Sequence, residues 1–85
     1  MADLRLENPA TTEAYRQAMA DLSVTLPLDL HEYDLGVIVD AEGRDIITVD
    51  VNNERPDREV DLICHRIILA VNTCGGFRAE IVRHG

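Results

Sequence analysis

"LGVIVDAEGRDIITVDV", residues 35–51, decides the fold. Two runs rich in valine, isoleucine and threonine flank "DAEG", and β-branched side chains favour extended backbone because they pack well on a pleated surface. Gly43 can take the positive φ that a short hairpin loop with a bulge requires. The pattern predicts an antiparallel hairpin from about Leu35 to Val51.

Upstream, "SVTLPLDLHEYD" places Val24, Leu26, Leu28 and Leu30 in alternation, an extended segment with one buried face. Pro27 cannot donate to a ladder, so this is an edge strand or a strand-like linker. Before it, "ENPATTEAYRQAMADL" reads as a helix capped by Asn8 with Pro9 at its first position. Ala14, Tyr15, Ala18, Met19 and Leu22 form its apolar stripe.

Downstream, "NNERPD" is a polar loop, and Asp57 is the expected cap of a second helix from about Arg58 to Thr73, with Glu59 and Asp61 near its positive end. Val60, Ile63, Cys64, Ile67, Ile68, Ala70, Val71 and Cys74 fall within a stripe about 160° wide. Leu62 and Leu69 lie on the other side, one heptad apart, with His65 and Arg66 between them. Either the first helix covers this pair or a second copy of the chain does, and the small core favours a homodimer through Leu62, His65, Arg66 and Leu69. Gly75 is placed to end the helix at the C′ position. In "FRAEIVRHG", Phe77, Ile81 and Val82 form a short final strand or a docked tail. The expected architecture is a single α+β domain over residues 1–85, a small antiparallel sheet of hairpin plus edge strand packed with two α-helices.

At 85 residues the chain has a marginal core, and with only Tyr15, Tyr33 and Phe77 as aromatics, aliphatic side chains must fill it. An apolar share of 46% separates it from disordered acidic tails. No apolar run approaches the roughly 20 residues that span a bilayer. "MADLRLENPA" lacks the basic and apolar regions of a signal peptide, so a cytoplasmic protein with free thiols is expected.

The net charge of −8 is unevenly placed. From Asp29 to Asp61 there are 11 acids and 3 arginines, while the acids and bases elsewhere cancel. Direct binding of nucleic acid needs the opposite sign. An acidic face suits a basic protein surface, which it finds faster through long-range attraction. Asp40, Glu42 and Asp45 at the hairpin tip, with Glu54, Asp57, Glu59 and Asp61 around the loop and helix start, are the candidate partner-binding residues.

Other chemistries fit poorly. Cys64 and Cys74 are ten residues apart on one helix, about 15 Å at 1.5 Å per residue, too far for shared zinc ligation or a disulfide. Adjacent Cys64 and His65 point to different sides of that helix. "DAEGRDIITVDVNNE" has Gly43 fourth from Asp40 rather than sixth, between strands rather than helices, so it is no EF-hand. Ser23 is the only serine, and no histidine has a recognisable catalytic partner. "CGG" lacks a Walker lysine and follows a helix instead of preceding one. A non-enzymatic protein without metal or cofactor is expected.

"GVIVDAEGRDIITVD" followed by "DREVDLICHRIILAVNTCGGF" resembles small proteins of phages and prophages that carry a hairpin with a D-x-x-G turn and then a helix with an "AVN" segment near its end. The likeness covers Gly36 to Phe77 and departs at the helix start, where "VDLICHR" replaces an alanine-rich "AN". It implies an accessory protein of mobile DNA in a bacterial host cell. Anti-CRISPR proteins, which occupy nucleic-acid-binding surfaces of effector complexes, are the sharpest form of that implication. The expected partner is then a basic nucleic-acid-binding host protein or effector complex. The alternative is a structural or regulatory interaction module of a phage or toxin–antitoxin-like operon.

Overall fold

The computed structural model describes residues 11–77; Asn8, Pro9, Ile81 and Val82 lie outside that range. The order is α1 (Thr12–Asp21), β1 (Asp29–Leu30), β2 (Val37–Val39), β3 (Asp45–Thr48) and α2 (Asp57–Cys74). The three strands form one antiparallel sheet in the order β1-β2-β3, so the chain has the predicted α+β fold. Among the described residues, no helix is long and apolar enough to cross a membrane.

The hairpin follows its sequence closely. Asp40 C=O accepts the Gly43 N–H at 3.0 Å, and Asp40 N–H donates to Arg44 C=O at 3.0 Å. Gly43 sits at φ +85°, the left-handed residue that closes this turn as a bulge. A register shift between Ile38 and Val39 leaves Ile46 as the extra residue on β3. The edge strand is real but short, since only Asp29 and Leu30 pair with β2. Its alternation holds beyond those two residues: Leu26 and Leu28 are buried, and Val24 and Leu30 half-buried.

One face of the sheet is covered by α2. Val60, Cys64 and Ile68, spaced four apart, form the core with Leu26, Leu28 and Ile38. The predicted stripe is narrower in fact, because Ala70 and Cys74 are exposed. Asn72, further along the same helix, accepts the Leu28 N–H at 2.7 Å and donates to Leu28 C=O at 3.0 Å. That amide completes the hydrogen bonding of a buried stretch of backbone that no strand pairs.

The helix termini correct the sequence reading in three places. Thr11 caps α1, its hydroxyl accepting the Ala14 N–H at 3.0 Å, and the helix begins at Thr12. Asp57 is the first helical residue of α2 instead of its cap; Pro56 holds the cap position without a side-chain bond. At the other end, Gly76 rather than Gly75 takes the left-handed φ, +84°. Phe77 N–H reaches Asn72 C=O at 2.9 Å and Gly76 N–H reaches Thr73 C=O at 3.0 Å, the paired bonds of a Schellman motif.

α1 docks at this C-terminal end of α2. Arg16 donates to Gly75 C=O at 3.0 Å and lies 5.8 Å from the Phe77 ring centre, while Tyr15 and Met19 pack on the core. Ala14, Ala18 and Leu22 of its predicted stripe are exposed. The first helix therefore does not cover Leu62, which lies toward the opposite end of α2.

Candidate protein-interaction surface

Antiparallel pairing dictates which acids can meet. The β2–β3 turn lies at one end of the sheet. The β1–β2 loop, the β3–α2 loop and the start of α2 lie at the other. The predicted partner-binding acids are therefore divided: Glu42 belongs to the turn, Glu54, Asp57, Glu59 and Asp61 to the far end, and Asp45 stands on β3 with its carboxylate 3.9 Å from His31 Nε2 of the β1–β2 loop. Glu42 and Asp45 are exposed at or beside the turn; Glu54, Asp57 and Glu59 are exposed at the far end, with Asp61 half-buried.

Asp40 belongs to neither group, which corrects its assignment as a partner-binding residue. It is only 2% exposed. Its Oδ1 accepts the Glu42 and Arg44 N–H groups, both at 3.0 Å, and its Oδ2 accepts the Thr25 N–H at 3.0 Å. Arg44 adds its Nε at 3.0 Å and Nη2 at 2.8 Å, the latter also 3.1 Å from Thr25 Oγ1. Burial alone would push this carboxyl's pKa up. The bonds from Thr25, the Arg44 guanidinium, the Arg44 N–H and the Glu42 N–H outweigh it and hold the pKa far below the ordinary carboxylate range. The turn aspartate thus ties the hairpin to the segment leading into β1. An aspartate two residues before one turn N–H is the sequence signal for such a role.

Asp50 organises the far end and was absent from the sequence-based candidates. Its carboxylate accepts the Glu54 N–H at 3.0 Å and the Arg55 N–H at 2.9 Å, and these two bonds lower its pKa. Glu59 pairs with Arg55 at 3.3 Å across one helical turn. The β1–β2 loop brings Glu32 and Asp34 to the same end. Seven acids (Glu32, Asp34, Asp50, Glu54, Asp57, Glu59, Asp61) thus stand there beside two arginines, Arg55 and Arg58. Tyr33, Leu35, Val51 and Leu62 are exposed between them.

His31 shapes that loop. Its Nδ1 accepts the Tyr33 N–H at 3.0 Å and the Asp34 N–H at 2.9 Å, so the ring proton of the neutral form is on Nε2. Asp34 and Asp45 approach Nε2 only to 3.8 and 3.9 Å, beyond hydrogen-bond reach. A metal at Nε2 would compete with that proton, whereas a ligating imidazole donates from its other nitrogen. Among the described residues, no group of three or more His, Cys, Asp and Glu side chains could hold a metal ion.

The predicted self-association face is partly placed in the open. Leu62 is 46% exposed and Arg66 exposed, whereas Leu69 and His65 are half-buried. The His65 ring lies 2.8 Å from Asp61 C=O through Nδ1, which donates, and 3.5 Å from the Asp61 carboxylate. Cys64 is fully buried and Cys74 exposed, both free. Burial, then the nearby Asp61 charge, raises the Cys64 thiol pKa, the signature of a packed rather than reactive cysteine.

No protein-family model, curated protein or solved structure matches the chain.

Proposed function

We propose that the protein is a small non-enzymatic inhibitor whose acidic end binds a basic surface of a nucleic-acid-binding host protein or effector complex, acting in the manner of an anti-CRISPR protein. The reading is supported by one observation above all. Seven carboxylates and only two arginines gather where the β1–β2 loop, the β3–α2 loop and the start of α2 meet. Such a surface repels nucleic acid and is attracted to the cationic groove that a nucleic acid would occupy. Binding there excludes the nucleic acid by occupancy, with no chemical step.

The test is an electrophoretic assay of guide or target binding by a host effector complex, with and without the protein. Glu54→Lys, Asp57→Lys, Glu59→Lys reverses the acidic end, and Glu42→Lys reverses the hairpin tip. Inhibition is lost in the first variant, retained in the second, and weakened by salt. Unchanged inhibition in the first variant overturns the assignment of the surface. No effect of the unmodified protein on any host nucleic-acid-binding complex overturns the function.

A second reading, a regulatory interaction module that associates through the apolar side of α2, is favoured by the exposure of Leu62. It requires a homodimer or partner complex that is insensitive to salt and lost in Leu62→Glu, Leu69→Glu. Light scattering that returns the monomer mass of 9.5 kDa at working concentration excludes the dimer.

A further inference from the structure

Two hollows adjoin at the acidic end and share the β1–β2 loop. The smaller, about 180 Å³, lies between that loop and the first turns of α2, bordered by Glu32, Tyr33, Asp34, Leu35 and Asp61. The larger, about 680 Å³, continues on the other side of His31 and Tyr33 past Asp29 and Val39 and reaches Gly43 of the β2–β3 turn. The smaller hollow is below the roughly 300 Å³ at which small-molecule sites begin; it is the size of a single side chain.

Three properties define what fits. Tyr33 is 83% exposed and Leu35 52% exposed. With Val51 and Leu62 they account for four of the five large apolar side chains that are exposed among the described residues, so these are gathered at one end and not scattered singly. Every carboxylate or guanidinium residue bordering either hollow is acidic: Asp29, Glu32, Asp34 and Asp61, with no arginine. The loop is also preformed. His31 Nδ1 holds the Tyr33 and Asp34 N–H groups, His31 N–H donates to Val37 C=O at 2.9 Å, and Val37 N–H to Asp34 C=O at 3.3 Å. A rigid aromatic presented from such a loop costs little to order on binding.

We propose that this groove is the docking point for an arginine-bearing apolar segment of the basic partner. The proposal rests on the basic-partner reading above and adds what a general acidic surface lacks: a seat and a requirement for apolar neighbours. A guanidinium enters the smaller hollow between Asp34 and Asp61 and lies against the open face of Tyr33. An aliphatic neighbour on the partner segment covers Leu35. The segment continues over Tyr33 into the larger hollow, where Asp29 and Glu32 meet further positive charge. Apolar burial supplies affinity that salt does not screen, and the acids select the sign of the partner.

The probes are three synthetic hexapeptides: alternating Arg-Leu, alternating Arg-Ser and alternating Glu-Leu. Each is titrated into the isotopically labelled full chain at low salt while backbone amide resonances are followed. The Arg-Leu peptide should shift the amides of residues 32–36 and 61–62, bind roughly tenfold tighter than Arg-Ser, and lose that advantage in Tyr33→Ser, Leu35→Ser. Both side chains are exposed, and unchanged dispersion of the variant's spectrum verifies its fold; Leu35→Ser alone serves if the double variant unfolds. Equal binding of Arg-Leu and Arg-Ser, or shifts confined to residues 54–59, overturns the groove while leaving a basic partner in place. Binding of the Glu-Leu peptide at the same amides overturns the charge selection, and with it the basic partner. Absence of binding by either arginine peptide overturns the groove, and the effector-complex assay then decides the wider reading separately.

Discussion

Asn72→Ala should be among the most costly polar substitutions in this chain. The Asn72 side chain is the sole partner shown for both Leu28 backbone groups, at 2.7 and 3.0 Å, and Leu28 is buried. Each bond contributes about 1 kcal/mol net, and leaving a desolvated N–H or C=O unpaired pushes the loss toward the upper part of a roughly 1–3 kcal/mol range. Alanine returns about 0.5 kcal/mol through its higher helix propensity. The balance is a loss of about 2 kcal/mol, or a fall in Tm of roughly 8–16 °C for a domain of this size. Urea denaturation should show a lower midpoint with an unchanged slope. Asn72→Asp sharpens the test, because it keeps the acceptor and places an oxygen against Leu28 C=O. The carboxyl can hold the Leu28 N–H but cannot donate to Leu28 C=O, so this variant should also be less stable than the unmodified protein. A loss under about 0.5 kcal/mol for Asn72→Ala, within the range of ordinary surface changes, would refute the reasoning. So would an Asn72→Asp variant as stable as the unmodified protein.

Three further outcomes follow from the same geometry. Asp40 has a folded-state pKa below its unfolded value, so its contribution is present above the unfolded value and lost as pH falls through the folded one. Asp40→Asn should flatten the acid limb of the stability curve from about pH 5 downwards, read from denaturation midpoints across pH. In the native protein a thiol reagent should modify Cys74 promptly and Cys64 only on unfolding, giving one fast equivalent and a second at the unfolding rate; two fast equivalents would contradict the buried position. Ile38→Ala, at a fully buried site, should cost about 2–5 kcal/mol. Leu22→Ala, on an exposed side chain, should stay within about 0.5 kcal/mol in the same denaturation series.

Much of the fold was legible because its signals are local. Turn chemistry at Asp40 and Gly43, alternation from Val24 to Leu30, and four-residue spacing at Val60, Cys64 and Ile68 each follow from backbone sterics and side-chain periodicity within a short window. The helix ends were less legible, because Asn8, Thr11, Asp57 and Gly75 are all competent near a terminus and local competition among them decides. Asn72 gave no signal at all: its role depends on Leu28, 44 residues away.

The candidate surface divides along the same line. Composition by itself determined that the middle of the chain is acidic. It could not separate Asp40, whose charge is consumed by Thr25, Glu42 and Arg44, from Glu42 and Asp45 beside it, because burial is a property of what packs on a residue. Nor could it group Glu32, Tyr33, Asp34 and Leu35 with Asp61. Antiparallel pairing carries the β1–β2 loop back to the start of α2, and only that return places an exposed ring and three carboxylates around one small hollow.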